Sequence, residues 1–157
     1  MKRLLAAFEL LLPPPVVALL CVGLMFKLAW LLRAWQFPFA GRFLLAGVVV
    51  LAGVALALVG VRALRRSYTT ISPFTPHKTA VLVVDGVYAR SRNPMYLGLG
   101  VVLVGVAIAL ANPATLLGPI VFVLWIDRFQ IQVEERVLSD RIGTAYDDYR
   151  RRTPRWF

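Results

Sequence analysis

Two adjacent carboxylates, Glu134 and Glu135, follow the last long uncharged stretch of the chain. This position is the depth at which a bilayer would meet water, where a carboxylate is costly unless it has a partner. Either one of them holds a cation or a polar cofactor, or the two pair with nearby arginines such as Arg128 or Arg136 in an interfacial ion cluster. Position alone favours the ion cluster.

A second group of polar side chains, Arg90, Arg92 and Tyr96, surrounds the pair Asn93-Pro94. This pair predicts a restricted turn followed by a helix start, with the proline near the first helical position. Backbone N–H groups at such a start lack helical partners and can donate to a ligand. The arginines and the tyrosine could equally be anchors at the membrane interface.

The scarcity of other reactive residue types argues against several kinds of site. His77 is the only histidine and Cys21 the only cysteine, so we expect no bound metal and no internal disulfide. No serine stands in a Gly-x-Ser-x-Gly elbow, which argues against a hydrolase. Gly98, Gly100 and Gly105 resemble a nucleotide loop only superficially, because they follow a helix start, and close helix packing explains them better.

The elements that position these residues are predicted to be membrane helices. The chain is 59% hydrophobic and has a mean hydropathy of +0.72. Its uncharged runs predict four membrane spans, each close to the length that crosses a bilayer. The last two are joined by a tight Asn112-Pro113 hairpin, and the first contains an unfavourable Lys27. The spans lie at about 13–33, 43–61, 95–111 and 114–128.

The charge distribution predicts the topology. The chain has 18 Lys and Arg residues against 8 Asp and Glu, a formal charge of +10. With the N-terminus inside, fifteen of the basic residues fall on one side of the membrane and only Arg33 and Arg42 on the other. This asymmetry predicts that both termini are cytoplasmic. It also explains the basicity without nucleic-acid binding.

The fold class predicted is an all-α integral membrane protein forming one domain over residues 1–157, in a bacterial cytoplasmic membrane. Two segments are not membrane-like, the loop 63–92 and the tail 129–157. Both are cytoplasmic in this topology. A connection as long as this loop is more often functional or disordered than a simple link.

The tail predicts two short helices. Apolar residues at three-to-four spacing extend the fourth span out of the membrane as an amphipathic helix, which Gly143 ends. Thr144, with Asp147 three residues later, is typical of a capping box that starts a second helix. Tyr146 and Tyr149 then take neighbouring positions on that helix.

Short motifs run along residues 69–155 in a specific order. They are Thr69-Thr70-Ile-Ser-Pro73, Leu82-Val83, Gly86-Val-Tyr88, Arg92-Asn-Pro-Met-Tyr-Leu-Gly98, Glu134-Glu135-x-x-Leu138, Gly143, Tyr146, Tyr149 and Pro154-Arg155. In this order and at this spacing, the chain closely resembles the isoprenylcysteine carboxyl methyltransferase and phospholipid methyltransferase superfamily.

The resemblance implies a membrane methyltransferase that depends on S-adenosylmethionine and lacks the soluble Rossmann fold. The cofactor would lie between the last helices and the C-terminal segment, in a pocket completed by the loop and the tail helices. The resemblance assigns the cofactor pocket to residues 80–83, with Leu82 and Val83, and to Tyr88, Asn93, Pro94, Met95, Tyr96 and Glu134.

Three further residues are candidates for catalysis. Arg92 and Arg155 are suited to hold an anionic group of the substrate or the cofactor carboxylate. Glu135, or else Glu134, is the candidate base where the acceptor must lose a proton. A carboxylate acceptor needs no base.

Two positions depart from the family pattern and affect the acceptor. Asn93 stands where the eukaryotic enzymes have histidine, so it cannot carry charge. Gln130 stands where those enzymes have an arginine implicated in holding the substrate's carboxylate. We expect a lipophilic acceptor from the bilayer, an isoprenylcysteine-type carboxylate or related lipid. The alternatives are a phospholipid amine, a small thiol, or a non-catalytic membrane protein that binds the cofactor.

Overall fold

The computed structural model describes residues 12–66 and 82–157. Several sequence predictions therefore lie outside the described residues. These are the roles of Lys2, Arg3 and Lys78 in the charge asymmetry, the first motif at residues 69–73, His77, and residues 80–81 of the cofactor segment.

The described residues form six α-helices, with no strand among them. The helices are α1 Pro14–Leu31, α2 Arg42–Arg66, α3 Pro94–Leu110, α4 Leu117–Ile126, α5 Gln132–Ile142 and α6 Thr144–Arg152. An all-helical fold is thereby confirmed for the part of the chain that the structure describes. Three helical segments are long and apolar enough to cross a membrane, Pro14–Leu31, Arg42–Arg66 and Pro113–Ile142, whereas α3 is a shorter apolar helix of 17 residues.

The predicted boundary between the second span and the following loop was too early. Helix α2 continues to Arg66, past residue 61, where the uncharged run ends and the predicted span with it. The added turn contains alanine, leucine and arginines, which are good helix formers. Arg65 and Arg66 also lie in the last turn, where a positive charge interacts favourably with the helix dipole.

Lys27, the unfavourable charge in the first span, lies near the end of α1. Its side chain is exposed, and Nζ lies 4.6 Å from the centroid of the Trp30 ring. Since α1 ends at Leu31, the long side chain can reach the interface while its stem stays on apolar surface. The position of Lys27 is therefore compatible with a membrane helix.

The predicted tight hairpin at Asn112-Pro113 is confirmed. Helix α3 ends at Leu110, and Ala111 adopts a left-handed conformation. The Asn112 side chain accepts a hydrogen bond from the Ala114 backbone N–H (3.0 Å) and donates one to the carbonyl of Leu32 (2.8 Å). One residue thus fixes the turn and attaches it to the end of α1. The start of α3 and the chain beyond α4 come together at the opposite end.

The core lies between α1, α3 and α4. Its fully buried side chains include Met25, Leu103, Phe122 and Ile126. Cys21 is buried among them, which agrees with its interpretation as a small apolar residue. This packing fixes α3 and α4 side by side, so the residues at their common end have defined positions.

Close packing of α2 on α3 confirms the interpretation of two of the three glycines. A Cβ atom at Gly98 would lie 2.6 Å from the carbonyl oxygen of Gly53 and 2.7 Å from the backbone nitrogen of Ala57. Gly105 is similarly close to α2, at Val50. A Cβ atom at Gly100 would have no described atom outside its own helix within 4 Å. The small residues therefore allow two backbones to approach.

Helix α5 ends at the predicted position, but the start of α6 is capped differently from the prediction. Helix α5 ends at Ile142, and Gly143 has a φ of 67°. The predicted capping box is wrong, because Gly143 takes the N-cap position and Thr144 is already helical. The reversal at this glycine is so sharp that the next helix starts at once. Asp147 instead accepts a hydrogen bond from the Ser139 hydroxyl, at 2.9 Å.

We expect Gly98→Ala to destabilise the protein, because the new methyl group would meet backbone atoms that cannot move independently. Overpacking of this kind costs about 1–3 kcal/mol. The measurement is thermal unfolding in detergent, and Gly100→Ala in the same helix is the matched control, which should unfold no earlier than the parent. Equal unfolding midpoints for the two variants would contradict the close packing of α2 on α3.

Candidate functional site

Glu134 accepts two hydrogen bonds in a partly buried cluster of polar side chains. These side chains come from α3 and from the chain beyond α4. The Tyr96 hydroxyl donates to its Oε1 at 2.6 Å, and the Gln130 side-chain amide donates to the same oxygen at 3.1 Å. Tyr96 and Gln130 are both buried, Gln130 with only 2% of its surface exposed. The other oxygen, Oε2, has no donor among the residues that the structure describes.

A wide helical turn over Asp127–Ile131 places Gln130 and Glu134 in this group. This turn is a π-helical segment, in which the backbone hydrogen bonds skip one more residue than in an α-helix. The side chain of Gln132 donates to Asp127 across it, at 3.0 Å. Because this turn holds an extra residue, the side chains after it are rotated about the helix axis relative to a continuous α-helix. Different residues therefore face the bundle beyond the apolar face of α4. Such turns are frequent at functional sites.

Glu135 faces a different set of partners, two arginines distant in sequence. Arg92 Nη1 lies 2.7 Å from Glu135 Oε1, and Arg155 Nη2 lies 2.6 Å from Oε2. Arg155 also reaches Asp127, with Nη1 2.8 Å from Oδ1. These four residues, here called the ion cluster, balance two positive charges with two negative ones. Glu135 is therefore ion-paired, as one of the two sequence interpretations expected, but with Arg92 and Arg155, which that interpretation did not name.

The ion cluster is only slightly exposed at its centre. The side chains of Glu135 and Arg92 have 9% and 10% of their surface exposed. Hydrogen bonds from Arg155 to Glu135 raise the pKa of the Arg155 guanidinium, which stays charged in any case. Charges withdrawn from water in this way need partners, and each of these has one.

The C-terminal segment is attached to the turn that precedes α3. The backbone N–H of Arg92 donates to the carbonyl of Pro154 at 3.0 Å. The Asn93 side chain donates to the carbonyl of Arg155 at 3.0 Å, and the Ser91 hydroxyl donates to the same carbonyl at 3.4 Å. Asn93 therefore uses its amide to hold the C-terminal segment beside the ion cluster.

Three tyrosines outside the bundle connect the tail helix to the same turn. The Tyr149 hydroxyl donates to the carbonyl of Tyr88 at 2.7 Å, and both residues are buried. The rings of Tyr146 and Tyr149 pack edge to face with centroids 6.2 Å apart, as their spacing predicted. Burial, with a contribution from the charge of Glu135, raises the pKa of Tyr146 to about 12. Its hydroxyl is therefore protonated, and able to donate, at neutral pH.

Arg92 is the residue best placed to donate to an anion in this region. Its side chain is nine-tenths buried, and its Nε has no hydrogen-bond partner among the described residues. Buried donors in folded proteins are nearly always satisfied by protein groups, water or a ligand. An anionic ligand group close to Nε would supply the missing acceptor.

The structure brings most of the predicted site residues to one end of α3 and α4. Tyr96 and Glu134 are hydrogen-bonded, and Arg92, Glu135 and Arg155 share the ion cluster. Asn93, Pro94 and Met95 lie at the start of α3, whereas Leu82 and Val83 precede it by more than ten residues and have no described contact with the site. Pro94 is buried at the first helical position, Met95 packs on the core, and Leu82 and Val83 are partly buried.

Sequence reasoning missed two contributors to the site. Asp127 completes the ion cluster through Arg155, and no local pattern connects residues so far apart. Gln130 was noted only as a departure from the family, whereas its amide donates to Glu134. Its position four residues before Glu134 on a predicted helix was a usable signal.

Comparison with known proteins finds one family model and several relatives. The model described as "Phospholipid methyltransferase" matches residues 41–145. An "Uncharacterized protein" of Haemophilus influenzae is 39% identical over 62 residues, which is 40% of this chain and 98% of that protein. No solved structure matches the chain.

Two named relatives are methyltransferases. The "Protein-S-isoprenylcysteine O-methyltransferase" of Saccharomyces cerevisiae is 31% identical over 66% of this chain and 43% of that protein. "Protein-S-isoprenylcysteine O-methyltransferase B" of Arabidopsis thaliana is 29% identical over 68% of this chain and 54% of that protein. The chain thus aligns with about half the length of each.

Replacing Glu135 should be far more damaging than replacing an exposed acid. Glu135→Gln leaves Arg92 and Arg155 without their shared anion, and breaking a buried pair from one side costs about 3–5 kcal/mol. The matched control is Asp148→Asn, whose ion pair with Arg151 is exposed and should contribute almost nothing. Thermal unfolding in detergent makes the comparison. A Glu135→Gln protein as stable as the control would show that the ion cluster does not hold the tail.

Proposed function

The chain belongs to the phospholipid methyltransferase family, and we propose that it transfers a methyl group from S-adenosylmethionine to a lipophilic acceptor. The resemblance found in its motifs is confirmed at the level of the family. The observation that carries the proposal is the convergence of Glu134, Tyr96 and the ion cluster at one end of α3 and α4. The C-terminal segment closes over this end through Pro154 and Arg155.

The donor set of this site fits S-adenosylmethionine. The cofactor has a sulfonium, an ammonium group, ribose hydroxyls and a carboxylate. Oxygen Oε2 of Glu134 is suited to the ammonium group or a ribose hydroxyl. The aromatic rings of Tyr88 and Tyr96 suit a sulfonium cation, and the buried Nε of Arg92 suits the carboxylate.

When bound, the cofactor supplies a methyl group on a positively charged sulfur. The residues of the chain contribute position and an environment that excludes water, because methyl transfer depends above all on alignment. With a carboxylate acceptor, the carbon–sulfur bond breaks as the carbon–oxygen bond forms, giving a methyl ester and a neutral thioether. No proton has to move in that case.

An amine or thiol acceptor would also have to lose a proton. Glu135 is a poor base for this step, because both of its oxygens are held by arginines. Glu134 has an oxygen without a donor among the described residues and is the better candidate if other residues hold the ammonium group and ribose of the cofactor. In that case Arg92 and Arg155 have a positioning role, holding the anionic end of the cofactor or acceptor.

We further place four helical spans in the membrane, with both termini and the site on the cytoplasmic side of a bacterial cytoplasmic membrane. With the continuous helical segment Pro113–Ile142 taken as the fourth span, helix α3 is the shortest of them at 17 residues, about 25 Å. It lies against the longer α2 through Gly98 and shares the core with α1 and α4. The segregation of basic residues supports this orientation.

The chemical class of the methyl acceptor depends on which positively charged side chain contacts the acceptor's polar group. Gln130 is neutral, buried and directed to Glu134, so it offers no charge to a substrate carboxylate. An isoprenylcysteine-type carboxylate would need Arg92 or Arg155 in its place. The neutrality of Gln130 favours a second candidate, a phospholipid amine, which does not need an arginine there.

We expect Glu134→Gln to weaken binding of S-adenosylmethionine about tenfold, because the neutral amide cannot form charge-assisted hydrogen bonds to the ligand. The amide oxygen can still accept from Tyr96, which should preserve the local fold. Calorimetric titration of the detergent-purified protein measures the change. Asp140→Asn, an exposed acid on the same helix, is the control and should bind like the parent. Absence of binding by the parent would refute S-adenosylmethionine as the cofactor. Equal affinities of the parent and Glu134→Gln would refute only the role of Glu134.

The acceptor can be identified by its chemistry. Membranes containing the protein, incubated with a donor carrying a radiolabelled methyl group, should yield label in the lipid fraction. Label released by mild base indicates a methyl ester, whereas stable label indicates an amine acceptor. Membranes containing Glu134→Gln serve as the control and should incorporate less label. Cofactor binding without any lipid labelling would instead favour the non-catalytic alternative.

A further inference from the structure

A group of large aromatic side chains stays exposed where α1 ends, along the connection to α2, and where α2 begins. Each of them has between 44% and 67% of its surface exposed. We call these five rings the aromatic belt: Trp30, Trp35, Phe37, Phe39 and Phe43. Exposed apolar patches of this kind mark a surface that meets a membrane or a binding partner.

Two hydrogen bonds place the aromatic belt at the end of the bundle opposite the site. The backbone N–H of Phe37 donates to the carbonyl of Ala111 at 2.9 Å, and the Asn112 side chain donates to the carbonyl of Leu32 at 2.8 Å. Both attach the connection between α1 and α2 to the hairpin that follows α3. Helix α3 runs from the site to this hairpin over 17 residues, about 25 Å.

Three basic side chains, Lys27, Arg33 and Arg42, accompany the aromatic belt. Lys27 Nζ lies 4.6 Å from the centroid of the Trp30 ring, and the guanidinium carbon of Arg42 lies 4.6 Å from that of Phe43. Arg33 is exposed, as is Lys27. None of the three forms an ion pair with a residue that the structure describes. Their N–H donors are therefore available to an acceptor from outside the chain.

The sequence offers no carboxylate near these three charges. It has no acidic residue between Glu9 and Asp85, and none between Asp85 and Asp127. The acidic residues that the structure describes come from the turn before α3 and from the chain beyond α4, which is the site end of the bundle. Positive charge beside apolar rings thus has no internal counter-charge at the opposite end, and an external anion has to supply it.

We propose that the aromatic belt lies in the headgroup layer of the leaflet opposite the site, where Lys27, Arg33 and Arg42 bind the phosphates of anionic phospholipids. Tryptophan is enriched at this depth of a bilayer, and a guanidinium matches the geometry of a phosphate. Basic residues near the membrane surface also attract acidic lipids. The inference rests on the membrane placement proposed above but not on methyl transfer.

The test uses the full chain in lipid nanodiscs that contain phosphatidylglycerol or phosphatidylcholine with the same photoreactive group close to the headgroup. Cross-linked positions are mapped by peptide mass spectrometry. We expect residues 27–43 to be labelled more strongly by the phosphatidylglycerol probe. Replacing Lys27, Arg33 and Arg42 together with Gln should reduce this labelling roughly tenfold. The matched control replaces the three arginines at the other end of α2, at positions 62, 65 and 66, and should change it less than about twofold.

Three results would overturn the proposal. They are equal labelling of residues 27–43 by the two probes, equal losses in the two triple variants, and loss of labelling with inorganic phosphate but not with chloride at equal ionic strength. The last result would identify a soluble phosphate as the ligand. If the triple variant misfolds, Arg33→Gln alone should reduce labelling roughly threefold, and no reduction would refute the proposal.

The same samples separate this proposal from the proposed function. Absence of lipid labelling at both ends of α2 would refute the membrane placement itself, whereas absence at residues 27–43 alone would refute only the role of the aromatic belt. Calorimetry with S-adenosylmethionine tests the cofactor independently of either result.

Discussion

Two neighbouring carboxylates at the edge of an apolar bundle need hydrogen-bond or ion-pair partners, and these partners have to lie in different directions. Consecutive residues on a helix point about 100° apart, so no single partner can serve both Glu134 and Glu135. Glu134 accepts hydrogen bonds from the neutral side chains of Tyr96 and Gln130, and Glu135 forms ion pairs with Arg92 and Arg155. The neutral side leaves one oxygen of Glu134 without a donor among the described residues, whereas the charged side attaches the end of the chain.

This division depends on features far from the site. The hairpin at Asn112 returns the chain beside α3, and the close approach of α2 at Gly98 fixes the position of α3 along the bundle. The π-helical turn then rotates the chain, so that a helix apolar up to Ile126 presents Gln130 and Glu134 to Tyr96. Gly143 folds the tail helix back, which brings Arg155 to Glu135. Each step is a backbone constraint that positions one polar contact.

Local features of the fold could be predicted from the sequence because they have short-range causes. The Asn112-Pro113 turn, the packing role of Gly98 and the helix end at Gly143 each follow from residue type and immediate neighbours. The partners of Glu135 could not be predicted in this way, because Arg92 and Arg155 reach it only through tertiary folding. The capping box at Thr144 failed for a related reason. The positive φ of Gly143 decides where α6 begins, and the side-chain pattern alone does not contain that angle.

The site residues predicted by resemblance lie together, yet the structure divides them by task. Asn93 uses its amide on the C-terminal carbonyl of Arg155, so its part in the site is to position that segment. The neutral Gln130 supports Glu134 from inside the bundle. In an enzyme that took carboxylate substrates, an arginine at this position would lie beside Glu134 and compete with the ligand for its charge. A glutamine there keeps the carboxylate available to a cation. Under the proposed function, an anionic acceptor would then have to be held by Arg92 or Arg155, on the other side of the helix.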